Sequence, residues 1–180
     1  MHSAIAIDVV APPAVVFGLA RDVRRWPALL PHYVAVEPVG LPRKGVVMAR
    51  MVARRPLVPL LGLGFPVAWR ALSWSEPDAL RLRFRHTGGA THGMDVTWRI
   101  EPTADGCRVT IDHRFSPRVA PWAWFVDRLF TRPIATRTLA AFKAIAEGVA
   151  AQSGPATSDM AGNGALVAES TTPEPAYPVR

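Results

Sequence analysis

The chain has 180 residues, about half of them hydrophobic, and a formal net charge of +7, which is enough length for one domain with a core of its own. Its single cysteine, Cys107, excludes an intrachain disulfide framework and a cysteine-based zinc site. No apolar run reaches the roughly 18–20 residues that a membrane helix needs. The opening MHSAIAIDVV has no basic region and carries Asp8, so no secretory leader is expected and the expected location is the cytoplasm.

Residues 3–10 (SAIAIDVV) are β-branched and predict a strand. In APPAVVFGLARD the two prolines suit a helix first turn, and Val15, Val16 and Leu19 form an apolar face. RRWPALLPH, bounded by Pro27 and Pro31, predicts a second short helix. Six strands follow, at 33–39, 45–55, 66–77, 79–86, 92–102 and 107–115. Their links are short (TGGAT, TADG), which implies antiparallel neighbours.

Alternation is clear in the last three. Leu80, Leu82, Phe84 and His86 oppose Arg81, Arg83 and Arg85. His92, Met94, Val96, Trp98 and Ile100 oppose Asp95, Thr97 and Arg99. Cys107, Val109, Ile111, His113 and Phe115 oppose Arg108, Thr110, Asp112 and Arg114. Such a sheet buries one face and wets the other.

A long helix over 119–150 carries an apolar stripe through Trp122, Val126, Leu129, Ala135, Leu139, Phe142, Ala146 and Val149, with a kink expected at Pro133. From Gln152 the composition turns to Ser, Thr, Pro, Ala and Gly, so the expected division is a folded domain at 1–151 and a disordered tail at 152–180. The tail's three acids against Arg180 give it −2, leaving +9 on the body. That charge permits anionic partners.

The element order predicts an α+β architecture, a seven-stranded antiparallel sheet wrapped around a long C-terminal helix, with two short helices after the first strand. Three stretches, APPAVVFGLARDVRRWPALLPHY, FRHTGGATHGMDVTWRIEPTADGCRVTIDH and the terminal helix, resemble the polyketide cyclase/dehydrase branch of the START-like (SRPBCC) superfamily, the helix-grip fold. The resemblance implies a deep cavity between sheet and helix that holds a hydrophobic or aromatic molecule. The chain would then be either an aromatase/cyclase-like enzyme or a non-catalytic lipid or quinone carrier. It also implies an inward Arg and Tyr, with aromatics near the mouth. Tyr33 and Trp26 sit in the matching segment, and Arg70 in AWRALSW is the candidate arginine. If Trp69, Ala71 and Ser73 face inward, Arg70 faces water; in the opposite phase Arg70 and Trp74 enter the cavity.

The candidate catalytic groups are therefore Tyr33, His113 and Arg70, and the candidate lining residues are Trp26, Met51, Trp69, Phe84, His86, His92, Met94, Trp98 and Phe115. A simple TGGAT hairpin would set His86 opposite His92, and the TADG hairpin would set His113 opposite Val96, about 7 Å along the sheet from His92. Zinc needs three or four ligands converging on one point, and no strand carboxylate shares this face, so no metal is expected. The three histidines are either ordinary buried polar residues satisfied by backbone or water or ligand contacts. His113, with Tyr33 as a second donor, could promote enolisation, aldol closure or loss of water.

Between Pro56 and Pro66 the chain has no charge but holds three prolines and two glycines besides apolar residues. It reads as a buried loop or as an irregular apolar lip able to make transient membrane contact. The arginine face lacks interleaved aromatics, which argues against nucleic acid but leaves an acidic acyl-carrier protein as a possible partner. No phosphate loop, nucleophile elbow or paired carboxylate motif is present, and no cofactor is expected.

Overall fold

The computed structural model describes residues 1–58, 63–117 and 120–153, with the side chains at 55–63 and 120 left out of account. The expected tail therefore lies, but for Gln152 and Ser153, outside the described residues. Seven strands, β1 (His2–Val9), β2 (Tyr33–Pro38), β3 (Val47–Val58), β4 (Leu63–Glu76), β5 (Arg81–Gly89), β6 (Asp95–Thr103) and β7 (Gly106–Arg114), form one antiparallel sheet in the order β1-β7-β6-β5-β4-β3-β2. The first strand thus pairs with the last, Ile5 opposite Ile111.

Between β1 and β2 lie α1 (Pro13–Ala20), a 3-10 turn (Val23–Arg25) and α2 (Trp26–Leu29). Pro13 and Pro27 each occupy a helix first turn, where the missing N–H costs nothing. Asp22 caps the 3-10 turn by accepting from the Arg24 N–H at 3.2 Å. The Trp26 indole N–H closes the C-terminal end of α1 by donating to the Ala20 carbonyl at 2.9 Å.

The C-terminal helix comes in three pieces, α3 (Ala120–Val126), a π-helical turn (Asp127–Thr131) and α4 (Arg132–Gln152). The sequence expects one helix kinked at Pro133. A proline lacks the N–H and its ring crowds the carbonyl four residues back; here the preceding turn widens, and Pro133 stands in the first turn of α4. Val126, Ala135, Leu139, Phe142 and Ala146 are buried as the stripe predicts, whereas Trp122 and Val149 are exposed.

The concave face carries the core. Trp26 packs against Tyr33, Phe84, Trp98 and Phe142 with ring centroids 5.1–5.9 Å apart. The convex face carries ion pairs, among them Arg83 Nε with Glu76 at 2.8 Å and Arg99 Nη1 with Asp112 at 2.6 Å. These are mostly solvent-screened and individually worth little.

Two local expectations are corrected. Of the stretch 56–66, expected as a buried loop or an irregular lip, residues 56–58 and 63–66 are paired strand, with Pro56 opposite Gly64 and a register shift before Val58, and 59–62 lie outside the described residues. Prolines fit there because the strand bulges instead of demanding every ladder donor. His92 is not in a strand: His86 bonds Met94 through His86 N to Met94 O at 2.9 Å, and residues 90–93 form the turn, with Gly93 at φ 85°.

Candidate functional site

A cavity opens between the concave face of β3–β7 and the π turn with α4. Its interior volume is about 80 Å³, and it is open to solvent at the mouth. Trp26, Trp69, Phe84 and Trp98 supply aromatic walls; Tyr33, His86, Thr91, His113, Thr131 and Thr138 supply the polar atoms.

Each polar group is placed by its element. β7 pairs Val96 with His113, turning the imidazole inward. His113 is buried, and its Nδ1 has no partner. Burial pushes its pKa down to about 4, partly offset by the negative charge of Asp127, the Ser3 backbone and Asp112. His86 stacks on Trp69, centroids 5.9 Å apart, and its Nδ1 lies 2.7 Å from the Thr91 hydroxyl. Burial, then the neighbouring His113, lowers its pKa to about 3. Burial raises the Tyr33 phenol far above its usual range, and the Thr138 hydroxyl partly offsets this. At neutral pH the cavity therefore presents two neutral imidazoles and an un-ionised phenol.

Of the candidates from sequence, Trp26, Tyr33, Met51, Trp69, Phe84, His86, Met94, Trp98 and His113 line this cavity. Arg70, His92 and Phe115 do not. Trp69, Ala71 and Ser73 are buried on the concave side, so Arg70 projects outward. Its guanidinium lies over Gly88, where an added Cβ would come within 2.9 Å of Arg70 Nε. His92 is exposed at the turn because the hairpin is longer than a simple TGGAT loop, and Thr91 takes the inward place. Phe115 follows the end of β7 and packs in the core, its backbone bonded to Met1 at both N–H and carbonyl.

The sequence reading missed Thr91, Phe130, Thr131 and Thr138. Thr131 and Thr138 stand seven residues apart on the face that carries Ala135 and Phe142, a signal the apolar stripe concealed. It also missed His32, buried beside Tyr33 with ring centroids 5.0 Å apart and a pKa lowered by burial, then by Arg137, to about 4. Asp127 is a further such residue: it stands at the start of the π turn, outside the strand alternation that reveals inward positions. Its Oδ2 accepts from Arg132 Nε at 2.8 Å, while Oδ1 is buried without a partner. Among the described residues no three His, Cys, Asp or Glu side chains converge to hold a metal ion, and burial raises the Cys107 thiol.

The family model described as polyketide cyclase / dehydrase and lipid transport matches residues 2–147. No curated protein sequence matches. Among solved structures, the Zhui aromatase/cyclase from Streptomyces sp. R1128 is similar with a TM-score of 0.68 at 16% identity, over 82% of this chain and 93% of that one. The di-domain ARO/CYC StfQ from the steffimycin biosynthetic pathway gives 0.65 at 15%, over 83% and 51%. A START superfamily protein from Mycobacterium smegmatis gives 0.52 at 15%, over 84% and 97%. At these identities the likeness to solved structures is one of fold. No helix among the described residues is long and apolar enough to cross a membrane.

Proposed function

Since the chain belongs to the polyketide cyclase / dehydrase and lipid transport family, we propose that its cavity binds an uncharged aromatic or hydrophobic small molecule bearing carbonyl or hydroxyl oxygens. The observation that carries this reading is His113, which lines a mostly apolar cavity and whose buried Nδ1 has no hydrogen-bond partner. An unpaired buried nitrogen costs on the order of 1–3 kcal/mol, and a ligand oxygen or hydroxyl satisfies it. The described lining residues include no Lys, Arg, Asp or Glu, so a charged ligand would lose its hydration without gaining a counter-charge.

A second reading, catalysis of cyclisation or dehydration, is favoured by His113 and Tyr33 facing one cavity. In it the Nδ1 lone pair takes a proton from a carbon flanked by two carbonyls. The Tyr33 hydroxyl donates to the carbonyl oxygen on which enolate charge develops. The enolate carbon attacks a second carbonyl to close a ring, and the proton on His113 passes to the alkoxide so formed. For loss of water the freed imidazole takes the second hydrogen of the same carbon and delivers it to that hydroxyl, which leaves as water as the C=C bond forms. An acyl-carrier protein would present such a chain, and the basic body suits an acidic carrier. The competing role is lipid or quinone binding and transfer without turnover.

Native mass spectrometry of the purified protein, followed by solvent extraction, tests binding. The expected result is a stoichiometric neutral organic molecule, lost in His113→Ala. Failure to retain any co-purified or added quinone, lipid or polyketide overturns the reading. Ring closure or water loss from a carrier-bound polyketide, abolished in Tyr33→Phe, selects catalysis.

A further inference from the structure

We propose that the rim of exposed aromatic rings at the cavity mouth docks onto an anionic lipid bilayer, so that a hydrophobic ligand passes between membrane and cavity without crossing water. This rests on the reading of the cavity as a site for a hydrophobic molecule.

Four large rings on β4 and α3 face solvent: Trp124 is 68% exposed, Trp122 and Phe65 41%, and Phe125 39%. Three of them are joined to each other and to the cavity. Trp122 stacks on Phe125 with centroids 5.4 Å apart, Phe125 meets Phe130 at 6.0 Å, and Phe130 meets Phe65 at 6.0 Å. Phe130 itself lines the cavity. The Trp122 indole N–H donates to the Ala90 carbonyl at 3.2 Å, fastening α3 to the β5–β6 turn. The rim is thus built from β4, α3 and the π turn, and the wall of the cavity continues into it.

The segment that carries three of these rings is basic in sequence. Residues 118–137 hold Arg118, Arg128, Arg132 and Arg137 against the single acid Asp127, and Arg132 pairs with that acid. Arg128 and Arg137 are exposed and make no ion pair among the described residues. Tryptophan and arginine on one segment match the boundary between headgroups and acyl chains, where indoles lie at headgroup depth and each cation gains from anionic lipid. An acidic protein partner would satisfy the arginines but would leave this exposed apolar surface without an apolar phase, which favours the bilayer.

The test is co-sedimentation of the full chain with phosphatidylcholine vesicles, with and without about one third phosphatidylglycerol. The expected result is binding to the anionic vesicles that weakens with salt. It should fall at least about tenfold in Trp124→Ser/Phe125→Ser, and Arg128→Glu/Arg137→Glu should lose the preference for anionic lipid. Nile red fluorescence, reporting the cavity, should be unchanged in the Trp124→Ser/Phe125→Ser protein, which shows that it is folded. Wild-type protein that stays in the supernatant, or a variant that sediments equally well, overturns the proposal. So does capture of an acidic acyl-carrier protein, or self-association, through these residues in the absence of vesicle binding. Loss of Nile red binding by the wild type would strike the cavity reading instead, and the vesicle result would stand apart from it.

Discussion

His32 Nε2 and Thr138 Oγ1 lie 2.9 Å apart across 106 residues of chain. When the Thr138 hydroxyl donates to the Ile134 carbonyl at 2.8 Å, its oxygen accepts from His32 as the Nε2–H tautomer. This bond ties the entry to β2 to the second turn of α4 beside Tyr33. Thr138→Val keeps the shape but leaves the imidazole N–H buried and unpaired. A loss on the order of 1–3 kcal/mol is expected, seen as a lower Tm in thermal unfolding. Thr138→Ser should restore most of it, and equal Tm values for Val and Thr would remove the bond from the account.

The three buried histidines make stability depend on pH in one direction. Their folded pKa values are lowered to about 3 for His86 and about 4 for His32 and His113, against about 6.5 unfolded. Between these limits the unfolded chain binds protons that the folded chain refuses, so stability rises with pH in that window. It is fully present above about 6.5 and is lost as the pH falls towards 4. Each histidine contributes a slope of up to about 1.4 kcal/mol per pH unit. Urea unfolding at successive pH values should show the decline, and His113→Gln should shallow it. A stability flat from pH 7 to pH 5 would contradict the burial of these imidazoles.

Strand phase was legible wherever one face was charged and the other apolar: the arginines of β5 and the apolar face of β7 set the sheet, and with it the inward His113 opposite Val96. Where both faces read alike, pattern had nothing to grip. In AWRALSW both phases offer a tryptophan, and Arg70 was settled by packing against Gly88. The turn after β5 failed for a different reason: alternation continues through His92 in the letters, but the positive φ of Gly89 and Gly93 breaks the strand. The hydroxyls of α4 were invisible because a threonine bonding the carbonyl four residues back behaves as part of an apolar stripe.

The outward phase of Arg70 has a direct consequence. Arg70→Gln should leave Nile red affinity unchanged within about twofold and stability within about 0.5 kcal/mol. Trp69→Ala, one residue earlier on the cavity wall, should weaken Nile red binding. A large loss of binding in Arg70→Gln would return that arginine to the site.

Gly106 starts β7 at φ 152°, and a Cβ there would lie 2.2 Å from the Val9 carbonyl oxygen, which is backbone and cannot swing away. Gly106→Ala should therefore disturb the β1–β7 edge at a cost of about 2 kcal/mol, lowering Tm by about 4–8 °C. Gly93, also at positive φ but with open space around it, should cost less when changed to Ala.

Asp127 and His113 each hold a buried polar atom without a partner, and the carboxylate's negative charge favours the protonated imidazole. The π turn that precedes Pro133 starts at Asp127, and Arg132 fixes its other oxygen. Asp127→Asn removes the negative charge that raises the His113 pKa, so the value should move further below about 4. Imidazole ¹⁵N chemical shifts followed through acid titration measure this for His113. If His113 acts as a base on a ligand, the same substitution lowers turnover, because the imidazolium formed during proton transfer loses the charge that stabilises it. Binding of a neutral ligand should stay nearly constant, so kcat should fall while Kd holds. An unchanged His113 titration in Asp127→Asn would mean that the carboxylate serves only to anchor Arg132.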